Sequence, residues 1–201
     1  MWRGSGRGPR YAAGLRLRIL FAAVLALVCC GALTTIVLAE KKDDGRELQV
    51  TLRNVNGAAV GKVSMTARSP SAPVTVKVSV RRQTPGFHGF HVHAVGTCEA
   101  PTFMSARGHL GADATSHGAH RGDMPSLFFK RNKTASLSFT TDSFKISDLR
   151  DADGSAVMVH ALADNFANVP SRYAPNGPDQ ATLDTGDSGG RVVCGVVAPA
   201  K

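Results

Sequence analysis

Every histidine of the chain, His88, His91, His93, His109, His117, His120 and His160, falls between residues 88 and 160. His91 and His93, in the run HVH, are two residues apart, so on a strand both project from one face. The segment HLGADATSHGAHRGD (109–123) places His117, His120 and Asp123 at +8, +11 and +14 from His109. Imidazole nitrogens with one carboxylate oxygen are a donor set that suits tetrahedral zinc, and imidazole suits copper as well. His160 lies in a later apolar run, AVMVHAL (156–162). Each group alone reads equally as ordinary histidines or a solvated loop; together they point to a metal centre. His88 faces opposite to His91 on the same strand and reads as structural.

Donors gathered from such distant places need a rigid frame. The chain has 201 residues, 43% hydrophobic and 19% charged, a globular composition; sparse aromatics (6%) with 21 Gly and 10 Pro lean toward a loop-rich fold. Leu48, Val50 and Leu52 share one face of an alternating run, as do Val74, Val76, Val78 and Val80. Further strands are expected at 60–67, 87–95, 126–130, 135–141, 156–162 and 191–198, with turns at NGAAVG (56–61), SPSAP (69–73) and DADG (151–154). Beyond the N-terminus no stretch has the period of an amphipathic helix. Segments 96–125 and 163–190 break the rhythm; loops of that size are usually functional and need a metal or a disulfide to hold them. The expected class is all-β: a Greek-key barrel or sandwich of about eight antiparallel strands with two long functional loops.

Residues 1–39 read as an export segment, and residues 40–201 as the functional domain. Arg3, Arg7, Arg10, Arg16 and Arg18 precede an uncharged run at 19–39, and Val37 and Ala39 suit the small positions of a signal-peptidase site. Three fates are open: cleavage, retention as a membrane anchor, or lipidation at Cys30. All three put residues 40–201 outside the cytoplasm. Only Cys98 and Cys194 then belong to the domain; in an oxidising compartment they most simply form one disulfide, the alternative being two free buried thiols. The N-terminal arginines carry much of the +9 charge. With no basic–aromatic interleaving beyond residue 39, no nucleic-acid partner is expected. Asn132-Lys133-Thr134 is a glycosylation sequon without supporting context.

The blocks GFHGFHVH (86–93), SARGHLG (105–111), HGAHRGD (117–123), MVHALAD (158–164) and GDSGGRVVCGVV (186–197) resemble copper/zinc superoxide dismutase in order and spacing. NFANVPSRYAPNGPD (165–179) is similar to the bacterial, cell-envelope branch. The resemblance implies copper on His91, His93, His109 and His160, and zinc on His109, His117, His120 and Asp123. It makes Asp164 the carboxylate that links a histidine of each metal, and it pairs Cys98 with Cys194. Arg191 would attract the anionic substrate, with Thr185 narrowing the channel opposite, and His109 would carry a proton. The implied function is dismutation of superoxide to oxygen and hydrogen peroxide, protecting the cell envelope. A non-enzymatic copper- or zinc-binding protein is the alternative. The family includes monomers and homodimers, and membrane attachment through the N-terminal segment is a further expectation. Asp184 departs from the pattern, standing where many eukaryotic members carry a steering lysine. Asp187 adds a second negative charge, leaving Arg172 as a candidate guide.

Overall fold

The computed structural model describes residues 45–200, so the export segment lies outside the described residues. Eight strands form: β1 (Glu47–Asn54), β2 (Ala59–Ala67), β3 (Val74–Arg81), β4 (Gly86–His93), β5 (Asp123–Phe129), β6 (Thr134–Thr141), β7 (Ser155–His160) and β8 (Arg191–Val197). They make one antiparallel sheet in the order β5-β4-β7-β8-β1-β2-β3-β6. Its two edge strands, β5 and β6, follow each other in the chain across the turn at 130–133, which draws the edges together into a nearly closed barrel. The connections β3–β4 and β6–β7 join strands that are not neighbours, as Greek-key winding requires.

Alternation sorts the side chains. Val50 and Leu52, Val63 and Met65, Val76 and Val78, Phe90 and Val92, and Val157 and Val159 point inward and are almost fully buried. Phe144, Ile146 and Leu149, from the β6–β7 connection, join the same core. On β1, β2, β3 and β6 the outward residues are polar. On β7, and on β4 from His88 onward, the outward residues are buried too, because the long loops cover that side of the barrel. There Ala156 and Met158 pack with Phe103, Ala106 and Cys194 in a small second cluster. His91, His93 and His160 share this covered outer face.

The first long loop is zipped onto β4. Val92 N–H donates to Gly122 O (2.8 Å), and Leu110 N–H donates back to Val92 O (2.9 Å). A Cβ on Gly122 would collide with Val92 O, so glycine is what permits this contact. The expected disulfide is present: Cys98 and Cys194 are bonded, with Cα atoms 5.8 Å apart, tying this loop to β8. The second loop contains a short helix, α1 (Gln180–Thr185), that hydrophobic periodicity does not reveal. At six residues it is too short to show a period, but its ends are marked: the Asp179 side chain accepts from Thr182 N–H, and Gly186, at φ 60°, closes it. Among the described residues no helix is long and apolar enough to cross a membrane.

Candidate metal centre

Two sets of donor atoms converge beneath the loops. One nitrogen from each of His91, His93, His109 and His160 lies within 4.8 Å of the others. His93 Nε2 and His160 Nε2 are 3.3 Å apart. In the second set, Asp123 Oδ1 is 3.0 Å from His109 Nδ1, 3.2 Å from His117 Nδ1 and 3.5 Å from His120 Nδ1. His120 Nδ1 and His109 Nδ1 are 3.3 Å apart. His109 belongs to both sets, and His91 also lies within 4.8 Å of His109, His117 and Asp123.

Four of the rings are oriented by their other nitrogen. His93 Nδ1 pairs with Arg107 O (2.8 Å) and His160 Nδ1 with Gly189 O (3.0 Å). Asp164 spans the two sets, Oδ2 on His91 Nε2 and Oδ1 on His117 Nε2, each at 2.7 Å. These bonds leave His93 Nε2, His160 Nε2, His91 Nδ1 and His117 Nδ1 turned inward. His91 Nδ1, His109 Nε2 and His117 Nδ1 are buried without any hydrogen bond. An unsatisfied buried polar group costs about 1–3 kcal/mol, so three in one place call for a ligand. Metal–nitrogen bonds of about 2.0–2.1 Å in a tetrahedron set donors roughly 3.3–3.4 Å apart. The observed 3.3 Å spacings match, and metal ions fit both sets.

Burial keeps three of the donor rings neutral, the form that can ligate. Burial, then the neighbouring His109 and Arg191, holds His93 well below the usual imidazole range. Burial likewise brings His109 to about 4, against a hydrogen bond to the Asp123 carboxylate that raises it, and His160 to about 3. His117 moves the other way: burial opposes protonation, but Asp123 and Asp164 outweigh it and raise the ring to about 9. For Asp123 and Asp164 burial favours the neutral acid, yet their bonds to His109, His117 and His91 hold both below the usual carboxylate range.

Small residues and backbone carbonyls complete the site, and these carry little sequence signal. A Cβ on Gly186 would collide with Asp164 Oδ1 and His117 Nε2, so the helix-closing glycine also makes room for the carboxylate bridge. His88, 3% exposed, places Nδ1 2.6 Å from His160 O and Nε2 2.9 Å from Thr84 O and lies outside both donor sets. Its role is to fix the backbone of His160.

Beside the first set opens a cleft of about 800 Å³, walled by His109, His160, Arg191, Thr185, Asp184 and Arg107, among others. Arg191 is anchored to the first loop: Nη1 donates to Phe103 O (2.8 Å) and Nη2 to Arg107 O (2.5 Å). Arg107 O therefore positions both Arg191 and His93. The Arg107 side chain is exposed and, among the described residues, has no acid partner. Arg172 stacks on Tyr173, its guanidinium 4.7 Å from the ring centroid, and is not among the residues lining the cleft. The Asp187 carboxylate is occupied internally by Asn165 Nδ2 (2.6 Å) and Thr182 Oγ1 (2.8 Å), which brace the second loop.

A family model for copper/zinc superoxide dismutase matches residues 59–197. The Cu-Zn superoxide dismutase of Mycobacterium tuberculosis is 39% identical over 174 residues, 79% of this chain and 72% of that protein. A Cu-Zn superoxide dismutase of Brassica juncea is 33% identical over 137 residues, 65% of this chain and 84% of that one. Among solved structures, a SOD-like protein from Bacillus subtilis is similar with a TM-score of 0.59 at 28% identity, covering 74% of this chain and 96% of that chain. The Cu/Zn superoxide dismutase from Brucella abortus is similar with a TM-score of 0.57 at 25% identity, covering 75% of this chain and 99% of that chain.

Proposed function

The chain belongs to the copper/zinc superoxide dismutase family, and from that premise we propose how its residues divide the dismutation of superoxide. His91 Nδ1, His93 Nε2, His109 Nε2 and His160 Nε2 would hold copper. His109 Nδ1, His117 Nδ1, His120 Nδ1 and Asp123 Oδ1 would hold zinc. The observation that carries this reading is the His109 ring. Its Nδ1 faces the donors of one set, while its Nε2 is buried, unpaired and belongs to the other.

When bound, copper supplies the alternating one-electron oxidation and reduction that converts two superoxide ions and two protons to O₂ and H₂O₂, while zinc, without redox chemistry, supplies fixed charge. His109, on the cleft wall, holds and releases a proton at Nε2. Asp164 fixes the tautomers of His91 and His117. Arg191 keeps its charge at every working pH and points it into the cleft, with Arg107 adding a second cation near the mouth. Thr185 narrows the opening opposite Arg191. The apolar, uncharged run at 19–39 and the Cys98–Cys194 disulfide support a domain that works outside the cytoplasm and removes superoxide at the cell envelope.

The test is metal content with activity. After reconstitution the domain is expected to hold about one copper and one zinc per chain and to dismutate superoxide. Copper near one with zinc near zero would overturn the second donor set, and full metal without activity would overturn the enzymatic reading.

A further inference from the structure

The charges of this barrel are segregated by the fold. No acid occurs between Glu47 and Glu99, or between Asp123 and Asp142, although both stretches carry lysines and arginines. The strand register gathers these cations. Arg53, Lys62, Lys77 and Arg81 project from the outer face of β1, β2 and β3, where Lys62 lies opposite Thr51 and Ser79, and Lys77 opposite Ser64 and Ser138. Arg82, Lys130, Arg131 and Lys133 extend the patch across two adjoining turns, which are tied by the Arg82 N–H to Lys133 O bond (2.8 Å). All eight are exposed, and none forms an ion pair with an acid among the described residues. Arg53 and Arg81 donate only to the turn carbonyls Gly57 O and Ala59 O.

We propose that the outer face of β1, β2, β3 and β6 docks the domain on an anionic membrane surface through lipid phosphates, leaving the cleft turned away from that surface. Three observations select this occupant. The patch is unneutralised, which is the complement of a phosphate-bearing surface. No large apolar or aromatic side chain is exposed on these four strands. The face therefore offers no wedge for acyl chains and no platform for bases, and its attraction is electrostatic and reversible by salt. Finally, in the strand order β5-β4-β7-β8-β1-β2-β3-β6, the strands β2 and β3 lie across the barrel from β4 and β7. The histidine-bearing face is thus the one farthest from the docked face. The sequence expectation of export or anchoring at 1–39 supplies a membrane close at hand.

The unit Lys41–Lys201 can be tested by itself. The Brucella abortus structure, folded as it stands, is matched over 99% of its length by this domain. Its binding is measured by co-sedimentation with vesicles of phosphatidylcholine alone, or with about a third phosphatidylglycerol, at about 0.01 M and about 0.15 M salt. The expected result is binding to the anionic vesicles at low salt, weakened at high salt and absent on neutral vesicles. The pair Lys62→Gln, Lys77→Gln should reduce the partition coefficient about thirtyfold, whereas Lys145→Gln, Arg172→Gln should change it less than about twofold. These variants lie on the surface, and circular dichroism checks that each is folded. Equal losses for the two pairs would overturn the proposal, as would equal binding to neutral vesicles. Tighter binding to soluble polyphosphate than to the vesicles would assign the face to another polyanion and overturn the membrane reading.

Discussion

Replacing Gly186 with alanine tests whether the Asp164 bridge is held by space as well as by charge. Gly186 sits at φ 60°, where a side chain costs about 1–2 kcal/mol of backbone strain. Its new Cβ would also collide with Asp164 Oδ1 and His117 Nε2, so that one of them must leave the 2.7 Å bond between them. A hydrogen bond to a charged group contributes about 1.5–3 kcal/mol, and the two effects together come to about 2.5–5 kcal/mol. For a domain of this size, each kcal/mol lowers the melting temperature by about 2–4 °C. Gly177 provides the control: its φ is 84°, and a Cβ there meets nothing within 4 Å. Gly177→Ala should show the backbone cost alone. Calorimetry of both variants therefore isolates the collision, and zinc affinity should fall about 10- to 100-fold in Gly186→Ala only. Equal melting temperatures for the two variants, with unchanged zinc affinity, would refute the argument.

Asp164→Asn keeps the shape but loses the charge, and should lower zinc affinity by a similar 10- to 100-fold, read by competition with a chelator. Arg191 variants with verified metal content should lose dismutation rate in the order Lys, Ala, Glu, with Arg191→Ala down about ten- to a hundredfold; salt should slow the parent more than the Ala variant. The metal-free domain should lose stability as pH falls from about 6.5 toward 4, because unfolded imidazoles take up protons near 6.5 that His109 and His160, lowered to about 4 and about 3, refuse. The slope is about 1.4 kcal/mol per pH unit for each group, measured by denaturant unfolding. His117, raised to about 9, adds no slope in that window, since its contribution is already complete below 6.5. Opening the Cys98–Cys194 bond, which closes a span of 96 residues, should cost roughly 4–5 kcal/mol in the chain-entropy account, read as a lower melting temperature after reduction.

The strands and the donor histidines were legible because both depend on short-range rules. Period-two alternation marks Val74 to Val80 as inward, and the same parity puts His91 and His93 on the opposite face from Phe90 and Val92. The long loops were legible only as interruptions. Helix α1 is shorter than any period that could announce it, though Asp179 and Gly186 stand at its ends. The carbonyls of Phe103 and Arg107, which aim Arg191 and His93, have no side-chain signature at all. Arg172 and Arg107 show the same limit for charge: both are exposed arginines, and only the folded loops decide that Arg107 reaches the cleft while Arg172 stacks on Tyr173. Asp187 reads as a repelling charge until Asn165 and Thr182 are seen to occupy it.

One strand, β8, governs how the first loop meets the site. Cys194 holds the loop covalently at Cys98, and three residues earlier Arg191 holds it at Phe103 O and Arg107 O. The two ties act on a segment that then presents Arg107 O to His93 Nδ1. The disulfide, the Arg191 guanidinium and the His93 ring of the first donor set thus share one stretch of backbone. A shift of that stretch moves the Arg191 guanidinium and turns the His93 ring together. The positive φ values of Phe103 (56°) and Arg107 (60°), unusual for residues with side chains, mark where the chain bends to reach both partners. Strain of about 1–3 kcal/mol at each is offset by the two guanidinium bonds and the cross-link, which is why Arg191 serves the architecture of the cleft as well as its charge.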